Sequence, residues 1–302
     1  MYQPVVPSFL GGRIIEKTPI LSVLPRIDWR FFFHAWKMTG DYDGLEALCD
    51  CPACKTQWLL RYRPDEREKA EEAYQLMRDA QEILKKGITE ERFSLSALIH
   101  FFQARSLYEG IEIITPDSTP LYLPMLRQQH ESERNGYCLS MADFISPEKD
   151  YIGVFAVTVH GGDEWAEEER TAGDEYSALL VKSIADRLAE ATADWLHEEI
   201  RTRFWGYGNV TQAAGIRPAF GYPSLPDISL LKEVNRLVHL DGIGIHLTEN
   251  CAMRPNASIC GLHIAHPQAV YFMVGKISED QKKVYAKERG LKPDELSKWL
   301  AF

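Results

Sequence analysis

The segment Gly215-Ile216-Arg217-Pro218-Ala219-Phe220-Gly221-Tyr222-Pro223-Ser224-Leu225-Pro226-Asp227 constrains the fold more than any other, because three prolines and two glycines crowd into it. Proline fixes φ and removes a backbone donor, while glycine opens φ > 0, so a regular helix or a central strand is excluded. The run reads as a rigid, extended, kinked loop that presents backbone groups. Within it Arg217 offers a planar fork of donors suited to a carboxylate. On composition alone the same cluster also fits a surface turn between two elements.

With 302 residues and 45% hydrophobic content, the chain can bury a sizeable core as one domain or two closely fused lobes. The net charge of −10 and the absence of a basic stripe argue against a nucleic-acid partner, since phosphate recognition needs clustered Lys and Arg. No run of 18 apolar residues occurs, and Met1-Tyr2-Gln3-Pro4 lacks the basic and apolar regions of a signal peptide. The expectation is a cytoplasmic protein without a membrane partner.

Residues 1–26 read as an extended arm with a turn at Gly11-Gly12. From Pro64 to Lys86, Ala73, Leu76, Met77, Ala80, Ile83 and Leu84 recur at helical spacing, and Gly87 supplies a stop. Ser96 to Gln103, Ile111 to Thr115, Thr119 to Leu123 and Ile152 to Val159 read as strands. Pro116-Asp117-Ser118 has hairpin chemistry, and short turns between successive strands imply an antiparallel sheet. The clearest element is a long helix from about Asp174 to Arg203, with Tyr176, Leu179, Leu180, Ile184, Leu188, Ala191, Trp195 and Ile200 as its apolar stripe. Asp186, Glu190 and Asp194, at i, i+4 and i+8, form an acidic strip on a neighbouring face; a hydrated helix surface explains such a strip equally well.

Of six cysteines, three lie together as Cys49-x-Cys51-x-x-Cys54. A closed structural zinc site wants four ligands, and no second Cys-x-x-Cys or nearby histidine pair completes one. The cluster therefore reads as reduced, non-catalytic thiols, with a metal or redox role as the rival, and no metal ligand is assigned. Cys138, Cys251 and Cys260 read as buried small hydrophobes. His160, His246, His263 and His266 have no metal spacing and read as ordinary surface or core histidines. Gly242-Ile243-Gly244 lacks the third glycine of a dinucleotide loop, and Walker, His-Glu-x-x-His and Gly-x-Ser-x-Gly sequences are absent.

The pattern Arg-Pro-Ala-x-Gly-Tyr-Pro-x-x-Pro-Asp closely resembles the S-adenosylmethionine-binding loop of the activation (reactivation) domain of cobalamin-dependent methionine synthase. Collinear matches include Ile27-Asp28-Trp29, Leu126-Arg127-Gln128-Gln129, Asp150-Tyr151-Ile152-Gly153, Ala185-Asp186-Arg187-Leu188-Ala189-Glu190-Ala191, Phe204-Trp205-Gly206-Tyr207, His266-Pro267 and Trp299-Leu300-Ala301. The resemblance implies a single domain over 1–302, with an N-terminal arm and helical region in 1–95 and a sheet and ligand-binding core in 96–302. The expected fold is α+β, a twisted antiparallel sheet flanked by helices, one of them long.

The same resemblance implies site residues. Positions matching Asp28 and Glu190 help hold the ligand, Arg217 takes its carboxylate, and Pro218, Ala219 and Gly221 present backbone groups. Tyr222 stacks between cofactor and methyl donor, Tyr271 is a further ligand contact, and Asp186 lies near the displaced histidine of the partner module. Tyr222 and Asp186 are thus the expected catalytic residues. Two departures stand out: the glutamate shortly before the arginine is missing, and Ile228 replaces a histidine after Pro226-Asp227. No Asp-x-His-x-x-Gly cobalamin signature occurs and no other catalytic module precedes Met1, so the expectation is an activation domain standing alone, with cobalamin supplied by a partner. The implied function is reductive methylation of cob(II)alamin, using S-adenosylmethionine and an electron from flavodoxin or a similar donor, in methionine synthase or a related corrinoid protein. A non-catalytic S-adenosylmethionine sensor or a chaperone for a corrinoid protein is the alternative.

Overall fold

The computed structural model describes residues 2–117, 119–130, 136–211 and 213–300. Ser118 of the expected hairpin turn and Ala301 of the terminal match lie outside these. The strands are β1 (Gly11–Ile15), β2 (Ser94–Leu107), β3 (Gly110–Ile114), β4 (Pro120–Pro124), β5 (Asp150–His160), β6 (His246–Leu247), β7 (Met253–Arg254) and β8 (Ser258–His263). β6 and β7 form a small ribbon, and the other six form one antiparallel sheet in the order β4-β3-β2-β5-β8, with β1 also on β2. Helices α1 (Ile20–Val23), α2 (Trp29–Ala35), α3 (Pro52–Leu59) and α4 (Arg67–Thr89) precede β2. After β5 come α5 (Gly162–Thr171), α6 (Glu175–Glu199) and α7 (Tyr207–Thr211); α8 (Leu230–Val238) precedes β6, and α9 (Glu279–Glu288) and α10 (Pro293–Leu296) follow β8. The fold is α+β, as expected.

Both faces of the sheet are covered. Side chains alternate across a strand, so Ala97, Ile99 and Phe101 of β2 enter an apolar cluster with α4, α5 and α6, while Leu98 and Phe102 enter another with α8. β5, paired with β2 from Asp150 to His160, is buried along nearly its whole length. Antiparallel strands often keep one polar face; β5 reads as a continuous apolar run because neither of its faces meets water. Each large side chain buried there contributes about 1.5–3 kcal/mol. The helical-face cluster joins Val23 to Ala265, drawing on both sides of residue 95.

Three local expectations are corrected. Gly11-Gly12 begins β1, which pairs with β2 from Gly11↔Phe101 to Ile15↔Ala97, so this part of the arm is a strand rather than a turn. Gly87 does not stop α4, which continues to Thr89. A Cβ there would sit 2.4 Å from the Phe93 ring and 3.2 Å from that of Trp165, so glycine is needed for close packing, not for termination. In α6 the buried stripe runs through Leu180, Ile184, Leu188 and Ala191, but Tyr176 and Leu179 are exposed. Asp174 caps α6 by accepting from the Ser177 amide at 2.8 Å, and beyond Glu199 the helix widens into a π turn over Ile200–Phe204.

Candidate functional site

The Pro/Gly-rich loop lies along β8 as an irregular edge. Ile216 and Ile264 exchange both backbone hydrogen bonds at 2.9 Å, the Leu262 amide donates to the Pro218 carbonyl at 2.9 Å, and the Phe220 amide donates to the Cys260 carbonyl at 3.0 Å. Ile216, Pro218 and Phe220 are the residues that face β8, so Pro218 offers only its carbonyl there and its missing donor removes one rung of the ladder, a loss that an irregular edge tolerates and a central strand does not. Gly261 makes the approach possible: a Cβ there would lie 2.3 Å from the Pro218 carbonyl oxygen. Gly221, at φ +84°, turns the chain so that its amide reaches the Leu225 carbonyl and Tyr222 swings back toward α6.

The turn closes a cavity of about 940 Å³ between the loop, α6 and the start of α2. Asp28, Glu190, Arg217, Pro218, Ala219, Tyr222 and Tyr271 all line it. An Arg217 guanidinium nitrogen donates to Asp194 at 2.6 Å and lies 3.7 Å from Glu190; the side chain is only 17% exposed. Tyr222 donates its hydroxyl to Glu190 at 2.8 Å, and the Arg217 backbone amide donates to the Tyr271 hydroxyl oxygen at 2.8 Å. Asp28 is the N-cap of α2, accepting from the Arg30 amide at 3.0 Å, and its paired Arg30 side chain holds its carboxyl below the ordinary range. A buried guanidinium facing two carboxylates and two phenols can hold a zwitterion, taking a carboxylate at one end and an ammonium or hydroxyls at the other.

Two expected residues are not on the cavity wall. Gly221 shapes the turn from outside it, with Ile228 packed beside its backbone. Asp186 lies on the exposed surface of α6, one turn before Glu190. Of the acidic strip, Glu190 and Asp194 reach the cavity. Asp194, the partner of Arg217, and the cavity residues Arg26, Arg187 and His197 were absent from the expected ligand set. The strip's i+4 spacing pointed toward Asp194; no sequence signal distinguished the others.

Behind Arg217 lies a histidine pair. The His197 Nε2 is 3.0 Å from the Ala214 carbonyl oxygen, and the His263 Nε2 is 3.0 Å from the Tyr207 hydroxyl, which itself donates to Ala214 at 3.1 Å. This network assigns the proton of each ring to Nε2 and leaves both Nδ1 atoms buried without a partner. His263 is a fully buried core histidine. Burial, with His197 and Arg217 nearby, holds its pKa well below 6.5. Below that value the unfolded chain takes up a proton that folded His263 refuses, so stability present at neutral pH is lost as pH falls from about 7 toward 5. Urea unfolding at a series of pH values should show this decline, and His263→Gln should reduce its slope; an unchanged slope would remove His263 as the source.

The family described as the activation domain of vitamin B12 dependent methionine synthase matches residues 19–290. A solved structure similar to this one is the MetH reactivation domain bound to AdoHcy, at 32% identity and a TM-score of 0.82, the alignment covering 99% of this chain and 92% of that one.

Proposed function

Because this chain belongs to the activation-domain family of vitamin B12-dependent methionine synthases, we propose that its cavity binds S-adenosylmethionine and presents the sulfonium methyl to a corrinoid held by a separate cobalamin-binding module. The observation that carries the reading is the convergence of Arg217, Glu190, Asp194 and Tyr222 on one cavity. Arg217 takes the carboxylate of the methionine moiety, in exchange for part of its pairing with Asp194. Glu190, Asp194 and Asp28 offer acceptors to the amino group and ribose hydroxyls, and Pro218 and Ala219 supply backbone groups. Gly221 sets the turn that delivers Tyr222, and the exposed rings of Tyr222 and Tyr271 are free to contact the ligand and the incoming corrinoid. Asp186 faces solvent on α6 and is available to the docking module.

In this reading an electron from flavodoxin or a similar carrier reduces cob(II)alamin. The methyl group then passes from sulfonium to reduced cobalt: the S–C bond breaks with sulfur keeping the pair, a Co–C bond forms, and S-adenosylhomocysteine remains. The protein's contribution is proximity, since methyl transfer must trap a small reduced population. The missing glutamate before Arg217 favours weaker ligand binding. At that place the Ala214 carbonyl is occupied by His197 and Tyr207.

Calorimetry with S-adenosylmethionine and S-adenosylhomocysteine in the presence of a chelator tests the binding step, with saturable heat expected. No heat at millimolar ligand would end the proposal. The transfer step is tested in trans by following methylcobalamin formation spectroscopically with a reductant and separate corrinoid proteins. Binding without methylation of any of them would replace transfer by the sensor or chaperone reading. Among the described residues no helix is long and apolar enough to cross a membrane.

A further inference from the structure

The segment between α2 and α4 carries a side-chain cluster that the ligand cavity does not use. The sulfurs of Cys49, Cys51 and Cys54 all lie within 4.8 Å of one another, Cys49 and Cys51 being 3.3 Å apart. Cys49 and Cys51 are exposed, so an ion arriving from solvent reaches them without unfolding anything. All three are free thiols.

The grouping is held by structure on both sides. Cys51 is the N-cap of α3, its sulfur accepting from the Cys54 amide at 3.2 Å, and Pro52 opens the helix. The preceding segment is tied to α4: an Arg78 nitrogen donates to the Leu45 carbonyl at 3.0 Å, and Gln81 donates to the Glu46 carbonyl at 2.8 Å. Asp50 inside the motif and Lys55 directly after it are engaged elsewhere, Asp50 with Arg78 and Lys55 with Glu71. Neither charged side chain competes for the space between the sulfurs.

Zinc–thiolate bonds of about 2.3 Å place the sulfurs of a tetrahedral site roughly 3.8 Å apart, close to the separations already present. A disulfide needs about 2.05 Å, joins only two of the three, and leaves the third without a role. We propose that Cys49, Cys51 and Cys54 bind one zinc ion as thiolates, with the fourth position open to water or to a ligand brought by a docking partner. The lack of a fourth protein donor excludes a closed structural site but not an open one with three thiolates. Binding releases the thiol protons, and the ion staples the 41–51 segment to the first turn of α3.

The full chain, purified under reducing conditions and dialysed against zinc, should retain one equivalent of metal. Cobalt substitution should give thiolate-to-cobalt charge-transfer absorption together with the visible bands of tetrahedral cobalt. The Cys49→Ser, Cys51→Ser, Cys54→Ser triple variant should lose both signals and keep its far-ultraviolet circular dichroism. Undiminished zinc in a folded triple variant would overturn the proposal. So would a wild-type cobalt spectrum without thiolate charge transfer, a readout that does not depend on the variant folding, or a mass showing two of the thiols joined as a disulfide in protein that retains no metal.

Discussion

Replacing Arg289 by Met should lower the free energy of unfolding by about 3–5 kcal/mol, the usual cost of leaving one member of a buried ion pair uncompensated. Asp227 is 1% exposed and Arg289 9% in their side chains. One Asp227 oxygen accepts from Arg289 at 3.2 Å and from the Tyr285 hydroxyl at 2.9 Å; the other accepts from the Ser229 amide at 2.9 Å and its hydroxyl at 2.6 Å. The arrangement pins α9 to the end of the Pro/Gly-rich loop. Methionine keeps much of the stem's packing and removes the charge, so the stranded carboxylate dominates the effect. Urea denaturation of Arg289→Met, Asp227→Leu and the double variant checks it, the double costing less than the sum of the singles. A loss below about 1 kcal/mol, the range of an exposed pair, would show that water reaches Asp227.

Arg217→Ala should weaken S-adenosylmethionine binding by roughly 10- to 150-fold, equivalent to about 1.5–3 kcal/mol for a charge-assisted contact. Two effects act together. The ligand carboxylate loses its fork, and Glu190 and Asp194 are left facing a negatively charged group without the guanidinium between them. Arg67→Ala is the control, an exposed residue at the start of α4 whose guanidinium donates to the Tyr62 carbonyl at 3.2 Å. Calorimetric titration of both variants decides the matter. Equal affinities would mean that Arg217 serves the fold and not the ligand.

Arg217 and Asp227 show how far the motif itself could be read. Arg217 and Asp227 stand in the same Pro/Gly-rich run, and the resemblance treats the run as one ligand loop. In the structure its two ends diverge: Arg217 turns into the cavity, while Asp227 turns away into a buried network with a residue 62 positions later. Nothing local separates these fates. Both are charged residues next to prolines, and only the arrival of α9 makes one of them structural.

Features that depend on neighbours in the chain were legible in the sequence. The prolines and glycines excluded helix through this loop by backbone sterics alone, the 3.6-residue period disclosed α4 and α6, and the i, i+4, i+8 spacing put Glu190 and Asp194 on one helix face. Two apolar runs separated by turn residues likewise disclosed the hairpin of β3 and β4. What the sequence could not settle depends on groups far apart in the chain meeting in space. β1 is a strand only because β2 offers it an edge, and Gly87 is a packing site only because Phe93 and Trp165 close over it. Arg217 finds Asp194 across the gap between a loop and a helix, and His197 and His263 share a buried network contributed by α6 and β8. Spacing records the geometry of one element, whereas burial, ion pairing and the depressed basicity of a buried imidazole arise from the low dielectric and excluded water that exist only once the elements have packed.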